Sequence, residues 1–474
     1  MQALLLLMLL LLCSQYAKGQ EVSGIVHITD SVLLSKNIEL ISITIVGNKR
    51  TKSSIILNEL GVAAGAKIAS SDIKMVMEKA RARIYNLNLF SKTNIVVAAT
   101  DSTHANVEIQ VVEKWYIYPN PQFQVIARNY NEWLTTYNAS LDRVNYGIKF
   151  AHYNLTGRRD ALKLYLINGY ARTITAAYSN PFSNKKMNEG FSIGASFSES
   201  REFAYQNTYN NKQQFFSNGT RSHLSFAAAA TYQRRLSAYR RNTIGINYTY
   251  IRVPDSAVAK YNPNYFNKPS GIANIPDVYF SHRYINTSNN NYPLTGNAYF
   301  FSVSKRGFGF SGGINRLQLR ANLQNFISHG QHWYSSIQTS GFISLPFEQA
   351  YINRGALGYD GFTLRGMEDY VIDGVAAAIA QYTLKKKLFG FEIKMPKKFR
   401  HFPTIPFTFY AKTYADAGFS YSNPLMKTNL NNKFLYSGGF GLDVLTVYDI
   451  NVQINFSMNH LGEKGLFLHS TGGF

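Results

Sequence analysis

The sequence predicts a mainly β protein: an antiparallel, membrane-spanning β-barrel of about sixteen strands, preceded by a small α+β domain. Three observations lead there. Near the end of the chain Val452, Ile454, Phe456 and Met458 share one parity, and Asn451, Gln453, Asn455 and Ser457 the other. A strand sends successive side chains to opposite faces, so this order gives one apolar and one wet face. The pattern recurs at Leu317, Leu319, Ala321 and Leu323, at Ile244, Ile246, Tyr248 and Tyr250, and at Phe407, Phe409 and Ala411. Second, hydrophobic residues make up 45% of the chain, yet beyond the N-terminal segment no apolar run approaches the ~20 residues of a membrane helix. Third, aromatics reach 14%, with Tyr 33 and Phe 32, as interfacial girdles require. A secreted all-β protein shares that composition, so strand spacing must separate the two.

Residues 4–12 are nearly all leucine, and Ala17-Lys18-Gly19 follows. An apolar core of this length before small residues two apart reads as a cleaved secretory signal over residues 1–19. Met1-Gln2-Ala3 carries no basic residue, which departs from the usual pattern. Cys13, the only cysteine, raises a lipoprotein alternative, against which the bulky Leu12 stands. A mature chain without it forms no internal disulfide or thiolate metal site. Residues 20–37 are expected to be a linker.

The formal charge is +22, but Lys and Arg are scattered through strands and loops rather than gathered on a helix. No nucleic-acid-binding motif accompanies them. Excess positive charge facing anionic lipid headgroups fits the distribution better.

From residue 38 to 114 the period changes. Residues 40–46 are strand-like, and Gly47-Asn48 makes a turn. Residues 51–60 are helix-like, with Thr51 or Ser53 as cap and Gly61 past the end. Ser70-Ser71-Asp72 is expected to cap a second helix running to about Asn86, with Ile73, Val76, Met77, Ala80 and Ile84 on one face. Residues 94–99 and 105–112 are two more strands. This β-α-α-β-β order, with Ile43-x-Ile45-x-Gly47-Asn48, Gly65 and Leu87-x-Leu89-Phe90, resembles the polypeptide-transport-associated (POTRA) domain. The resemblance implies that Gly47 and Asn48 turn the first strand and that Phe90 packs the second helix onto the sheet. It further implies a domain that lends a sheet edge to an unfolded client, expected near residues 106–111. A plain spacer is the competing reading. Residues 115–121, with Pro119 and Pro121, read as a stiff junction.

The remainder, residues 122–474, divides into about sixteen alternating segments. They lie near 122–127, 144–153, 160–169, 172–180, 190–204, 220–234, 237–253, 277–287, 295–304, 314–327, 331–345, 374–388, 404–419, 433–445, 450–458 and 465–474. Long connections (128–143, 205–219, 254–276, 346–373, 420–432) alternate with short ones (154–159, 234–237, 328–331, 446–449). Bacterial outer-membrane barrels have long outer loops and short periplasmic turns, so the N-terminal domain is expected in the periplasm. A basic stretch from Lys385-Lys386-Lys387 through Lys394, Lys397, Lys398, Arg400 and His401 reads as a periplasmic turn. It is either a solvated face or a contact for anionic lipid or an acidic accessory subunit.

The longest outer loop carries Gly361-Phe362-Thr363-Leu364-Arg365-Gly366-Met367. In this position Leu364-Arg365-Gly366 resembles the inward loop motif of the outer-membrane assembly and secretion barrels typified by BamA and TamA, the bacterial surface antigen family. Met367 replaces the usual aromatic. Tyr414-Ala415-Asp416-Ala417-Gly418 is similar to the family's Phe-x-Asp-x-Gly motif, which implies that Arg365 pairs with Asp416, with Gly418 beside it, inside the barrel. A guanidinium fork matches a carboxylate with two hydrogen bonds. Tyr178-Ser179-Asn180-Pro181-Phe182 is similar to the family's Tyr-x-Asp-Pro-Tyr strand end. Leu466, Leu468 and the last residue, Phe474, are similar to its C-terminal recognition strand.

Other motifs fail in context. Gly190-x-Ser192-x-Gly194 leads into a strand rather than the strand-to-helix elbow a nucleophile needs. Gly307-x-Gly309-x-x-Gly312 precedes no helix. His329 and His332 sit in a tight turn without a third ligand nearby. No catalytic constellation, cofactor site or metal site is expected. The resemblance implies an outer-membrane protein that assists insertion of other barrel proteins, or translocation of a polypeptide or lipid-linked client. It would work through a seam between first and last strands. Expected partners are outer-membrane lipid, unfolded or partly folded client polypeptide, and accessory proteins of the periplasm or outer membrane, with no nucleic acid. The alternative is a passive porin or structural barrel whose POTRA domain is only a spacer.

Overall fold

The computed structural model describes all residues except 1–23, 30–36, 127–137, 310–312, 360–361, 395–403, 424–427, 447–448 and 472–474. The expected signal segment, the basic residues 397–401, Gly361 and Phe474 lie outside the described residues.

The N-terminal domain runs β1 (Val26–Ile28), β2 (Asn37–Val46), α1 (Ser53–Leu60), β3 (Lys67–Ala69), α2 (Ser70–Tyr85), β4 (Phe90–Ala99) and β5 (His104–Glu113). Ile73, Met77, Ala80 and Ile84 recur at helical spacing and are fully buried, and Phe90 closes the layer between α2 and the sheet. Gly47 turns the first long strand at φ 98°; a Cβ there would sit 1.9 Å from the Val111 carbonyl oxygen. The Asn48 amide donates to the Thr51 carbonyl, 3.0 Å, and so joins turn to helix. Gly61 ends α1 in the left-handed region, φ 74°, and Gly65, φ 85°, turns the chain into β3.

Three expectations for this domain need correction. Neither helix has a side-chain cap: the N-cap positions are Lys52 and Ala69. The Thr51 hydroxyl is taken instead by Tyr116 and Asn154. The sheet order is β1-β4-β5-β2-β3, so β5 is interior, and residues 106–111 are not an edge. And residues 26–28 of the expected linker form β1, which runs parallel to β4 with Val26 opposite Ile95 and Ile28 opposite Val97.

Sixteen strands make the second sheet. The first eight are β6 (Ile117–Val125), β7 (Val144–Tyr153), β8 (Ala161–Gly169), β9 (Ala171–Asn180), β10 (Glu189–Ser200), β13 (His223–Arg235), β14 (Arg240–Arg252) and β15 (Ile272–Thr287). The rest are β16 (Gly296–Phe308), β17 (Asn315–Gly330), β18 (Trp333–Leu345), β21 (Ala376–Lys394), β22 (Thr404–Tyr421), β23 (Phe434–Leu445), β24 (Asn451–Asn459) and β25 (Lys464–Thr471). All neighbours are antiparallel and sequential. Alternation survives into the structure: Ile244, Ile246 and Tyr248 are exposed on the outer face, while Lys412, Asp416 and Asp443 are buried inside.

The expected junction is part of the barrel, because Pro119 and Pro121 lie within β6, opposite Phe150 and Ile148. β6 ends the ladder, and an edge is where a strand tolerates proline. Lys385, Lys386 and Lys387 likewise belong to a strand, β21, rather than to a turn.

The sheet is rolled, and the end of α2 records it. Tyr85 Oη donates to Asp449 in the β23–β24 turn, 2.8 Å. Asn86 Nδ2 donates to the Thr287 carbonyl at the end of β15, 3.0 Å. Arg159 Nε, from the β7–β8 turn, donates to the Leu87 carbonyl, 2.8 Å. Three consecutive residues thus reach both ends and the middle of the ladder, which a flat sheet forbids. Phe182, after β9, joins the core of the N-terminal domain. The N-terminal domain therefore sits across one mouth, on the side of the short turns. At the other end the hairpin β11 (Glu202–Asn207) and β12 (Gln213–Ser217), the helix α3 (Asp255–Tyr261) and the pair β19 (Gly355–Leu357) and β20 (Ile372–Asp373) fill the long loops. Phe203, Val258, Phe266 and Ile275 form a core shared by the β11–β12 hairpin and α3, while Leu357 of β19 and Ile372 of β20 pack in a separate cluster.

Candidate functional site

The connection between β18 and β21 enters the barrel. It is anchored by apolar burial first: Phe362, Leu364 and Met367 pack with Ile379, Leu430 and Leu435. Met367 is 4% exposed. Between these anchors Arg365 is held out to the wall.

Its contacts with Asp416 on β22 are threefold. Arg365 Nε donates to Oδ2 at 2.9 Å, the backbone N–H donates to the same oxygen at 3.0 Å, and Nη2 donates to Oδ1. Nη1 donates to Thr383 Oγ1, 2.9 Å, and the guanidinium lies 4.1 Å from the centroid of the Tyr414 ring. Gln381 Nε2 donates to Asp416 Oδ2, 3.0 Å. The Asp416 side chain is wholly buried and that of Arg365 is 19% exposed, so the pair is shielded from water and its charges are satisfied by hydrogen bonds.

Two glycines make the fit. Gly366 has φ 82°, and a Cβ there would meet Ser457 Cβ at 2.7 Å. A Cβ on Gly418 would meet Leu364 Cδ1 at 2.9 Å and Ile379 Cγ2 at 3.2 Å. Both positions are set by close approach of loop to wall.

The loop then grips the final hairpin. Asn459 Nδ2 donates to the Gly366 carbonyl, 2.9 Å, and Tyr370 Oη donates to Glu463 Oε1, 2.6 Å. Glu368 Oε1 lies 3.5 Å from His469 Nε2 on β25. Burial raises the Glu368 carboxyl above its ordinary range, against the Gly366 N–H and the nearby His469, which lower it. The Tyr370 and Asn459 hydrogen bonds hold Glu463 low. One loop therefore straps β21, β22, β24 and β25 into a panel.

Of the residues singled out by sequence, Leu364, Arg365, Gly366, Asp416 and Gly418 come together here. Leu466 and Leu468 do not; they are 74% and 69% exposed and face outward on β25. Gly47, Asn48, Gly65 and Phe90 serve the N-terminal domain. Sequence reading missed a second charged cluster nearer the mouth that the N-terminal domain covers: Asp443 on β23 lies between Lys412 and Lys385, 3.2 Å from the latter, and accepts from Tyr292 Oη at 2.9 Å. Asp443 is the one acidic residue of β23, a signal that would have marked it.

Residues 38–114 match the POTRA family model, described as a surface antigen variable number repeat. No curated protein matches the sequence. Among solved structures the chain is similar to BamA from Haemophilus ducreyi lacking POTRA domains 1-3, with TM-score 0.51 and 13% identity over 92% of this chain and 84% of that one. It is also similar to CdiB from Escherichia coli, with TM-score 0.52 and 12% identity over 92% of this chain and 75% of that one. The likeness is one of fold.

Proposed function

We propose that this BamA-like barrel, with its single POTRA domain, is an outer-membrane factor that helps other barrel proteins insert or carries a polypeptide client across, the POTRA domain lying in the periplasm. The reading rests on the two free ends of the ladder. Among the described residues β6 and β25 share no ladder. Tyr153 N donates to the Tyr116 carbonyl and Ile126 N to the Arg143 carbonyl, so the even-numbered residues of β6 bond to β7. The nitrogens of the odd-numbered residues, Pro119 and Pro121 among them, turn to the free side. Proline has no N–H to give. The β6 edge therefore has gaps where donors would stand, and such an edge resists tight pairing.

A seam of this kind parts at low cost, leaving β25 to template an incoming client strand. The strapped loop keeps β21 to β25 aligned meanwhile. Client folding in lipid, where every backbone group must be paired, supplies the driving force. The POTRA sheet supports a second docking step. β1 covers β4 with only three residues, so an extended client segment that displaces it gains hydrogen bonds along the rest of β4. An accessory protein would use the same edge.

The test is a set of cysteine pairs across the seam, Gln122 or Gln124 against Phe467 or His469, in full chain reconstituted into liposomes. Insertion of a newly made barrel protein is measured before and after reduction. Loss on oxidation and recovery on reduction is expected. Undiminished insertion at complete crosslinking refutes the seam. Ion conductance without insertion in either state favours a passive pore.

A further inference from the structure

A cavity of about 640 Å³ lies between α2 and the barrel mouth beneath it. Its walls carry an excess of positive charge that the protein does not neutralise. The two acids in the wall are already engaged: Glu59 accepts from Arg235, 2.6 Å for Nη2 to Oε2, and Glu78 from Arg81, 2.9 Å. Two more cations are turned to backbone. Arg83 donates to the Glu59 and Leu60 carbonyls that end α1, and Arg159 to Leu87.

Arg240 stacks on the Tyr284 ring, 6.0 Å from its centroid, which leaves Arg241 and Arg283 on the barrel wall. They stand directly opposite each other on β14 and β15, on the inward parity of both strands, and both line the cavity. Like charges in direct cross-strand register repel. Among the described residues no carboxylate lies within ion-pair range of either. The Arg283 guanidinium lies 5.4 Å from the centroid of the Phe300 ring. Lys79 of α2 lines the facing wall.

We infer that Arg241 and Arg283 are the floor of an anion site that takes a phosphate-bearing ligand, closed from the α2 side by Lys79. Two guanidinium forks side by side match the oxygens of one phosphate better than a single carboxylate. The volume falls in the range of ligand pockets and exceeds what one phosphate fills, so the ligand is a polyphosphate or a phosphorylated headgroup. Because the site is shared by α2 and the barrel, its occupant staples the POTRA domain over the mouth. This inference does not depend on the seam.

The experiment uses the detergent-solubilised full chain, with inorganic pyrophosphate and monomeric dihexanoyl phosphatidate as probes in isothermal titration. Pyrophosphate is expected to bind, to raise the unfolding temperature and to weaken with salt. Arg241→Gln/Arg283→Gln should lower its affinity by about tenfold or more, while leaving the ligand-free unfolding temperature unchanged or higher. Phosphatidate binding about tenfold tighter than pyrophosphate assigns the headgroup source, and equal or weaker binding assigns a soluble phosphate. If the double variant does not fold, Arg283→Gln alone is used. Binding of neither probe, or binding untouched by the substitutions, overturns the site.

Discussion

The phenol of Tyr85, on the last turn of α2, donates to both carboxylate oxygens of Asp449, 2.8 and 2.9 Å away, in a barrel turn 364 positions later in the chain. Burial, with the Asp449 charge added, raises the phenol well above its ordinary range, so it remains a donor at any working pH. Asn289 supplies a further N–H to the same carboxylate at 2.9 Å. Tyr85→Phe leaves that charge under-satisfied and should cost about 1–3 kcal/mol. Hydrogen exchange at α2 and the unfolding temperature measure it. Unchanged exchange would show that the contact does not hold the domain to the barrel.

Arg365→Ala and Asp416→Ala are each expected to cost about 3–5 kcal/mol, because each strands a shielded charge. The double variant should cost less than their sum. Unfolding of the three variants and the parent in one detergent closes the cycle. Strict additivity would dissolve the pair as a unit.

Pro119→Val and Pro121→Val restore the donors absent from the free side of β6. The expected result is a higher unfolding temperature and slower client insertion, the two moving together. Faster insertion with a tighter seam would contradict the proposed role of that edge.

His27→Pro removes the N–H at the centre of β1 and should loosen it from β4. Exchange at Ile95 and Val97 should quicken, and an extended peptide should bind the POTRA domain about three- to tenfold more tightly. Weaker peptide binding would mean that β1 helps to form the docking edge instead of covering it.

Burial raises the Asp373 carboxyl to about 6, although Tyr359, Arg354 and Asn207 oppose the shift. An unfolded aspartate titrates near ~3.9. Between those values the folded state holds the proton more firmly, so stability is greatest below the unfolded value and is lost as pH rises through about 6. The loop cap at the mouth away from the N-terminal domain should therefore melt at lower temperature at pH 7 than at pH 4, and Asp373→Asn should flatten that slope. A wild-type slope of opposite sign would exclude Asp373 as its source.

Sixteen strands were legible because each is a period-two run facing two different solvents, and the pattern carries its own register. What escaped notice depends on tertiary position. Pro119 and Pro121 argue against a strand until β6 is known to be an edge. Lys385 looks like a turn residue until β23 places Asp443 beside it. Thr51 looks like a cap until the barrel turn containing Asn154 claims its hydroxyl. β1, β11, β12 and α3 are too short or irregular for periodicity to register. The Arg365–Asp416 site was legible only by likeness to a known motif, and nothing in the residues alone predicted that Tyr370, Asn459 and Glu463 would tie it to the last hairpin.

Tyr85, Asn86 and Leu87 meet turns from around the whole circumference, and so act as a keystone. An arch with one keystone does not sag by degrees. Tilting α2 would release the supports beside β7, β15 and β23 in a single movement, and a tug on the POTRA edge would be felt as hoop tension at the opposite rim.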